Sequence, residues 1–455
     1  MRPDLSVPRR IHLVGIGGAG MSAIATVLAG MGHRVSGSDL KGSPGLDRLR
    51  GLGIEVHVGH DASQLDSAEL VAISTAVGAG NPEVVEARRR EIPVLRRADL
   101  LAAITGTRRT IAVAGTHGKT TTSSMLALIL LEAGWRPSFV IGGELNETGS
   151  GAAWSDGQWL VVEADESDGT FLELDAEVAV VTSVEPDHLD HYGSFEHLQD
   201  AFHRFLAGAR GPRVAFRDQP ASARAATASG ATTFGTSPGA DYRIVGLELT
   251  RTGSTFELAH GEAPGTPVEL SVPGAHNASN GAAAAVTALC LGVPAEAVRT
   301  GLARFTGVAR RYQFRGEWGG ITFIDDYAHL PGEVVPVLDA ARRGGWSRVV
   351  CVFQPHRFTR TAALAPDFGH AFDGADVLVV TDVYGAGETP IPGVTGKLIV
   401  DAVLDASPHR PVAYLPGRAE LAAYLRANLR PGDLCLTLGA GDLTSLPDEL
   451  MGRLG

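Results

Sequence analysis

The 455-residue sequence predicts an α/β protein built from three domains, and three observations lead there. Buried-type strands alternate with helical periodicity along most of the chain, the pattern of parallel sheets with helices on their faces. Three stretches each open on such a strand, and the first two run straight into a glycine turn and a helix. Glycine is abundant at 57 residues, against a usual ~7%, which suits many tight strand-to-helix turns. Boundaries fall near residues 106 and 310, giving domains 1–106, 107–310 and 311–455.

The first domain opens with strand Ile11–Val14, the turn GIGGAG and helical periodicity over Met21–Met31. RVSGSD is a second strand ending at Asp39, and EVHVG and LVAIST are short strands. ARRREIPVLRRADLLAAI reads as helix, and Thr105-Gly106-Thr107 as a linker. The second domain opens with TIAVAG, a glycine turn and a helix over Thr120–Ala133 stopped by Gly134. Strands LVVEAD and VAVVTSV follow. Between Val214 and Val272 the short runs with turn residues read as antiparallel β, and SNGAAAAVTALCLG returns to helix. The third domain carries strands ITFIDD, RVVCVF, VLVVTDV and DLCLTLG with helical segments between them.

Composition narrows the function classes. With 44% hydrophobic and 20% charged residues, disordered, collagen-like and coiled-coil chains are out. Thirty-nine basic against 51 acidic residues give a net charge of −12, a poor basis for gripping nucleic acid. A local anion site built from backbone amides and one lysine stays open. Cys290, Cys351 and Cys435 form no CxxC pair, which suggests a reduced compartment without a zinc site or disulfide frame. Arg9 and Arg10 before an apolar run imitate a signal peptide, but glycines break that run. The apolar stretch Met125–Leu131 is too short to span a bilayer. A cytoplasmic protein with no membrane or nucleic-acid partner is expected, and monomer and homodimer both stay open.

Gly15, Gly17, Gly18 and Gly20 make a GxGxxG turn between a strand and a helix, with Asp39 ending the next strand. Such glycines let backbone amides approach a diphosphate at a helix N-terminus. The motif leaves open whether the diphosphate belongs to NAD or to another nucleotide, and a structural tight turn is the bland reading. Gly115-Thr116-His117-Gly118-Lys119-Thr120-Thr121 is the stronger signal. A lysine and a hydroxyl after glycine, between strand and helix, hold a nucleoside triphosphate, with Lys119 at the β and γ phosphates and Thr120 at Mg²⁺. The loop is shorter than GxxxxGK[ST], which would need glycine at Val113.

Glu163 closes a strand at the edge where open α/β sheets bind ligands, so it is a candidate metal ligand. His188, at the next strand end, is a second one. Asp165, Glu166 and Asp168 read equally well as a solvated acidic turn. Asn277 and Asn280 flank a helix start, and spacing alone favours capping over contacts with adenine. Arg357 and Arg360 stand i, i+3, a spacing that would let them share one helical face, and arginine pairs recognise carboxylate or phosphate. An exposed basic turn is the alternative.

In this order GTHGKTTT, EADESD, DHLDHYG, HNASN, DDYAH and FQPHRFTR resemble the Mur ligase family over nearly the whole chain, from GIGGAGM to LTLGAGD. The resemblance implies an N-terminal Rossmann-like domain for a UDP-sugar and a central P-loop ATPase-type α/β domain with an added antiparallel β part. A C-terminal Rossmann-like domain would take the incoming amino acid. The implied reaction is ATP-driven and joins L-alanine to the lactyl carboxylate of UDP-N-acetylmuramate through an acyl phosphate. A sister activity, attaching a preformed peptide in cell-wall recycling, is the alternative.

By motif match, Lys119 would stabilise the transferring phosphoryl, and Thr120, Glu163 and His188 would hold Mg²⁺. Asn277 and Asn280 would contact adenine, Asp326 the ribose and Arg310 the phosphates. Tyr327, His329, His356, Arg357 and Arg360 would surround alanine and the muramyl carboxylate, with His117 nearby. The GxGxxG glycines would receive the UDP diphosphate, with Ser74 and Thr75 near the uridine. The chain departs from the family pattern at Leu330, where a second histidine is usual, and at Ser183, where asparagine often stands. An NAD oxidoreductase, which has no use for Lys119-Thr120, and a bare P-loop switch, which needs no Arg357/Arg360 pocket, are the rival classes.

Overall fold

The structure, a computed structural model, describes residues 3–452. The first sheet is parallel throughout and has the order β3-β2-β1-β4-β5. Its elements are β1 (Arg10–Val14), α1 (Ala19–Gly30), β2 (Arg34–Asp39), α2 (Pro44–Gly51), β3 (Glu55–Val58), β4 (Leu70–Ile73), α3 (Pro82–Arg89), β5 (Val94–Arg96) and α4 (Arg97–Thr105). One expectation fails here. ARRREIPVLRRADLLAAI is the end of one helix, a strand and a second helix, not a single helix. Glu91 takes a left-handed φ of 59°, and Pro93 cannot continue a helix. Val94–Arg96 then pairs with β4 instead.

The second sheet has ten strands in the order β15-β14-β13-β12-β11-β10-β6-β9-β7-β8. Its central part comprises β6 (Arg109–Ala114), α5 (Lys119–Glu132), β7 (Ser138–Leu145), β8 (Ser150–Ala153), β9 (Trp159–Glu163) and β10 (Val178–Val181). The short α6 (Leu189–Tyr192) and the amphipathic α7 (Phe195–Gly208) follow. Phe202 and Phe205 of α7 pack on Phe171 with centroids 5.5 and 5.0 Å away. Burying each such ring stabilises the fold by roughly 1.5–3 kcal/mol.

The segment expected as antiparallel β is mixed. β11 (Arg213–Phe216) and β12 (Thr232–Gly235) extend the sheet in parallel on either side of α8 (Pro220–Ser229). Five alanines favour that helix. Pro220 sits in its first turn and Gly230 ends it in the left-handed region, which shortens the β segment. β13 (Tyr242–Leu249), β14 (Ser254–His260) and β15 (Thr266–Leu270) complete the sheet, and α9 (Ala275–Cys290) and α10 (Ala295–Arg304) follow. α10 lies so close to α5 that a Cβ on Gly301 would stand 2.7 Å from the Ile129 Cα.

The third sheet has the order β16-β17-β21-β18-β19-β20, antiparallel only between β16 and β17. These strands are β16 (Gln313–Trp318), β17 (Ile321–Asp326), β18 (Arg348–Phe353), β19 (Val377–Val380), β20 (Val412–Tyr414) and β21 (Asp433–Leu438). Helices α11 (Pro331–Arg343), α12 (Phe358–Leu364), α13 (Lys397–Ala406), α14 (Arg418–Asn428) and α15 (Leu446–Leu450) lie between and after them.

The chain forms two compact units. Of the described residues, one holds 3–247, Phe256–Leu270 and Ser279–Thr306, the other Glu248–Thr255, Ser271–Ala278 and 307–452. Within the first unit one apolar core joins both sheets: Leu28 and Ile24 of α1 share it with Val140, Ala152, Leu160 and Val162. The expected linker is accordingly fixed. Thr105 is fully buried, donates to the Ala102 carbonyl at 2.9 Å and closes α4. Among the described residues, no helix is long and apolar enough to cross a membrane.

Candidate active site

All the nucleotide-type motifs of the first unit lie where strands end and helices begin, the edge where α/β sheets bind ligands. Gly115 (φ 140°) and Gly118 (φ 83°) let the chain turn from β6 into α5. A Cβ on Gly115 would stand 2.1 Å from the Thr182 Oγ1, and one on Gly118 2.2 Å from the Asn280 Oδ1. Only glycine fits either place. The turn is clamped from β10's end: Ser183 Oγ accepts the His117 N–H at 2.8 Å, and Thr182 Oγ1 donates to the His117 carbonyl at 2.5 Å. Thr116 Oγ1 accepts the Glu185 N–H at 2.9 Å. Ser183, one of the two departures from the family pattern, thus acts as a clamp on the loop.

Lys119, the first residue of α5, folds its side chain back over this turn. Its Nζ donates to the Gly115 carbonyl at 2.7 Å and to Glu166 Oε1 at 2.8 Å. Burial works against its charge, but the Glu166 and Asp165 carboxylates outweigh that and hold the ammonium above the ordinary lysine range. Glu166 is only 1% exposed, and burial pushes its carboxyl up against the pull of Lys119. The solvated-turn reading is therefore wrong for Glu166. Sequence reasoning missed it because EADESD carries no signal that separates its inward carboxylate from the outward ones.

Thr120 and Thr121 are buried at the start of α5. Glu163 ends β9, where its Oε2 accepts the Gly142 N–H at 2.7 Å, and its charge reaches Lys119. His188 starts α6 in a left-handed conformation, with Nε2 at 3.4 Å from Asp187 Oδ2 and 3.9 Å from Glu166 Oε1. Glu166 Oε2 is buried without a hydrogen-bond partner among the described residues. An acidic, oxygen-rich surround of this kind fits a hard divalent cation such as Mg²⁺. No group of three or more His, Cys, Asp or Glu converges among the described residues.

Asn277 and Asn280 lie inside α9, not at its N-cap, so the capping expectation fails. Asn277 Nδ2 donates to the Pro273 carbonyl at 2.7 Å, and Asn280 packs on the phosphate-type loop through Gly118.

The GxGxxG turn has the same logic. Gly15 (φ 80°) passes over Ser74, and the Gly17 N–H donates to Asp39 Oδ2 at 2.9 Å. Gly18 is the N-cap of α1, and Thr75 is exposed beside Ser74. Gly20 faces Arg97, whose Nη1 would stand 2.7 Å from a Cβ there. Sequence reading passed over Arg97. Its Nη2 lies 3.5 Å from Asp165 Oδ2, in the loop after β9.

In the second unit Asp326 ends β17 with both oxygens on backbone amides, Tyr312 N–H at 2.6 Å and Ala328 N–H at 2.7 Å. Burial still pushes its carboxyl up to about 6. Arg310 donates to the carbonyls of Gly439 and Gly441 at 2.7 and 3.1 Å, and its guanidinium lies over the Tyr327 ring at 4.9 Å. Tyr327, His329 and His356 form an edge-on series with centroid spacings of 5.4 and 5.5 Å, and Tyr384 stacks on His356 at 5.8 Å. Arg360 Nη1 lies 3.3 Å from His356 Nδ1. Burial, then the neighbouring His329, Arg360 and Arg357, holds His356 down to about 4, so it is neutral at physiological pH. Arg357 is the N-cap of α12 with φ 68°, outside the helix that holds Arg360, so the expectation that the two arginines share one helical face fails. Leu330, the other departure, is a buried apolar residue that begins α11.

Three family models match in series: one described as the Mur ligase family catalytic domain over residues 10–109, the Mur ligase middle domain over 113–288, and a Mur ligase glutamate ligase domain over 310–441. The chain is 46% identical over 453 residues to a UDP-N-acetylmuramate–L-alanine ligase of Anaeromyxobacter sp. strain Fw109-5, covering 99% of this chain and 98% of that one. A protein of the same name from Rubrobacter xylanophilus is 47% identical over 453 residues, covering 98% and 100%. Among solved structures, UDP-N-acetylmuramate-alanine ligase MurC from Thermotoga maritima superposes with a TM-score of 0.84 at 29% identity, covering 98% of this chain and 99% of that one. With clamped glycine turns, a seated lysine and these likenesses over its whole length, the chain belongs to the Mur ligase family.

Proposed function

We propose that the protein is the ligase that joins L-alanine to the lactyl carboxylate of UDP-N-acetylmuramate at the expense of ATP, an early step in building peptidoglycan precursors. The observation that supports it most is the Lys119 ammonium, seated on the Gly115 carbonyl and Glu166 at the head of α5. It occurs in a chain alike over its whole length to relatives named for this reaction.

Phosphoryl transfer asks the protein for position and charge more than for covalent groups. A lactyl carboxylate oxygen attacks the γ-phosphorus and the bond to ADP breaks, leaving an acyl phosphate. The alanine nitrogen then attacks the acyl carbon, loses a proton, and inorganic phosphate departs. Lys119 and Arg310 offset the charge that spreads over the phosphoryl oxygens. The amides of Gly115–Thr121 cradle the triphosphate, Asn277 and Asn280 bind adenine, and Asp326 binds ribose. Thr120, Glu163 and His188 would hold Mg²⁺, which would supply positive charge to offset that of the phosphates. Gly15, Gly17, Gly18 and Gly20 receive the UDP diphosphate, with Asp39, Ser74 and Thr75 beside the nucleoside. Neutral His356, with Tyr327, His329, Arg357 and Arg360, receives alanine and the muramyl carboxylate. The three domains are assigned as 1–106, 107–310 and 311–455, and the compartment as the cytoplasm.

Phosphate release by the purified protein is expected only when ATP, Mg²⁺, UDP-N-acetylmuramate and L-alanine are all present. Equally fast release with a tripeptide in place of alanine would assign the recycling reaction instead.

A further inference from the structure

Away from the proposed phosphate sites, the first sheet buries a cluster of polar groups that the reaction does not use. Glu83, in the first turn of α3, is fully buried. Its Oε2 accepts the Ser38 hydroxyl at 2.6 Å and lies 3.0 Å from His60 Nδ1. His12 of β1, also fully buried, brings Nε2 to 3.4 Å from Glu83 Oε1, while its Nδ1 meets Ser36 Oγ at 2.9 Å. A carboxylate among apolar strands is costly unless it is paired. Here burial raises Glu83, but the approach of His12, the bond from Ser38 and the charges of His12 and His60 outweigh it and hold the carboxyl below its ordinary range. The N-terminus of α3 adds a favourable dipole.

One route from this cluster to the ligand edge runs through Ser38. Ser38 stands just before Asp39 at the end of β2, and its backbone carbonyl accepts the N–H groups of both Gly15 (2.8 Å) and Ile16 (3.0 Å). Its hydroxyl is held by Glu83 and lies 2.9 Å from His60 Nδ1. The residue that fixes the base of the GxGxxG turn is thus itself fixed from below by a buried carboxylate.

We propose that Glu83, held between His12 and His60, is a positioning residue: through Ser38 it sets the shape of the Gly15–Gly20 turn and so the affinity for the nucleotide-sugar diphosphate. It touches no substrate. The proposal rests on the reading that this turn receives the UDP diphosphate, and the experiment separates the two. Calorimetric titration measures binding of UDP-N-acetylmuramate and, separately, of ATP to each variant. Glu83→Gln keeps the shape of the side chain but removes its charge. It is expected to weaken UDP-N-acetylmuramate about tenfold, the loss of one hydrogen bond to a charged group, with ATP affinity and kcat unchanged. Ser38→Ala should weaken it similarly, and the double variant should be little worse than either single one, because both act through one carbonyl.

Gly18→Asp tests the underlying reading. Aspartate is a favoured N-cap, so the fold is kept while a negative charge meets the diphosphate. Gly18→Asp binding the nucleotide sugar normally overturns that reading and the proposal with it. Loss of binding in Gly18→Asp with unchanged binding in Glu83→Gln overturns the proposal alone. Equal weakening of both ligands in Glu83→Gln also overturns it, since that marks a general loss of structure. Should Glu83→Gln fail to fold, Ser38→Ala decides on the same criteria.

Discussion

Replacing Lys119 by alanine is expected to lower turnover by about 10³-fold or more, the scale of removing a preorganised charge from a transition state. Binding of UDP-N-acetylmuramate should change little, because the GxGxxG turn lies on the other sheet and shares no hydrogen bond with Lys119. The ammonium bonds to the Gly115 carbonyl at 2.7 Å and to Glu166 at 2.8 Å, which hold it over the glycine turn. Steady-state phosphate release and calorimetry on the same preparation check both halves. Turnover retained within tenfold would remove Lys119 from its assigned role.

Glu166→Ala is expected to be the most destabilising change at the site. Removing one partner of a buried ion pair costs up to about 3–5 kcal/mol, because the other charge stays buried and loses its direct partner. As hydrogen-bond partners Lys119 keeps the carbonyls of Gly115 and Thr116, with the Asp165 and Glu163 charges still acting on it, and the Tyr192 hydroxyl still holds the backbone of residue 166. A large fall in melting temperature, partly recovered by saturating ATP and Mg²⁺, is the expected melting profile. A solvent-facing acidic turn would instead shift stability by no more than about 0.5 kcal/mol. Denaturant titration of the parent and the variant separates the two.

Much of the fold was legible because glycine turns and strand-to-helix alternation are local signals. TIAVAGTHGKT names its strand, turn and helix within eleven residues, and the structure gives Arg109–Ala114, the turn and Lys119–Glu132. RVSGSD is a strand over Arg34–Asp39 as expected. The failures came where competing local signals overlapped. Arginines and leucines on either side of Pro93 imitate one helix, and only pairing with β4 makes Val94–Arg96 a strand. An alanine-rich helix hid between Val214 and Val272 because the surrounding β-like runs dominated the window.

At the site, residue types were readable but inward and outward directions were not. Glu166, Arg97 and Glu83 owe their standing to partners 47, 68 and 45 residues away. No spacing rule reaches that far. Ser183 shows the converse: a departure from the family pattern, it clamps His117.

In the proposed reaction the γ-phosphoryl group passes to the substrate's carboxylate before the amide forms. UDP-N-acetylmuramate carrying ¹⁸O in both lactyl carboxylate oxygens tests it directly, with the released phosphate and the product analysed by mass spectrometry. One ¹⁸O in each phosphate and one left in the new amide is the predicted result. Phosphate free of ¹⁸O, with amide still formed, would contradict it.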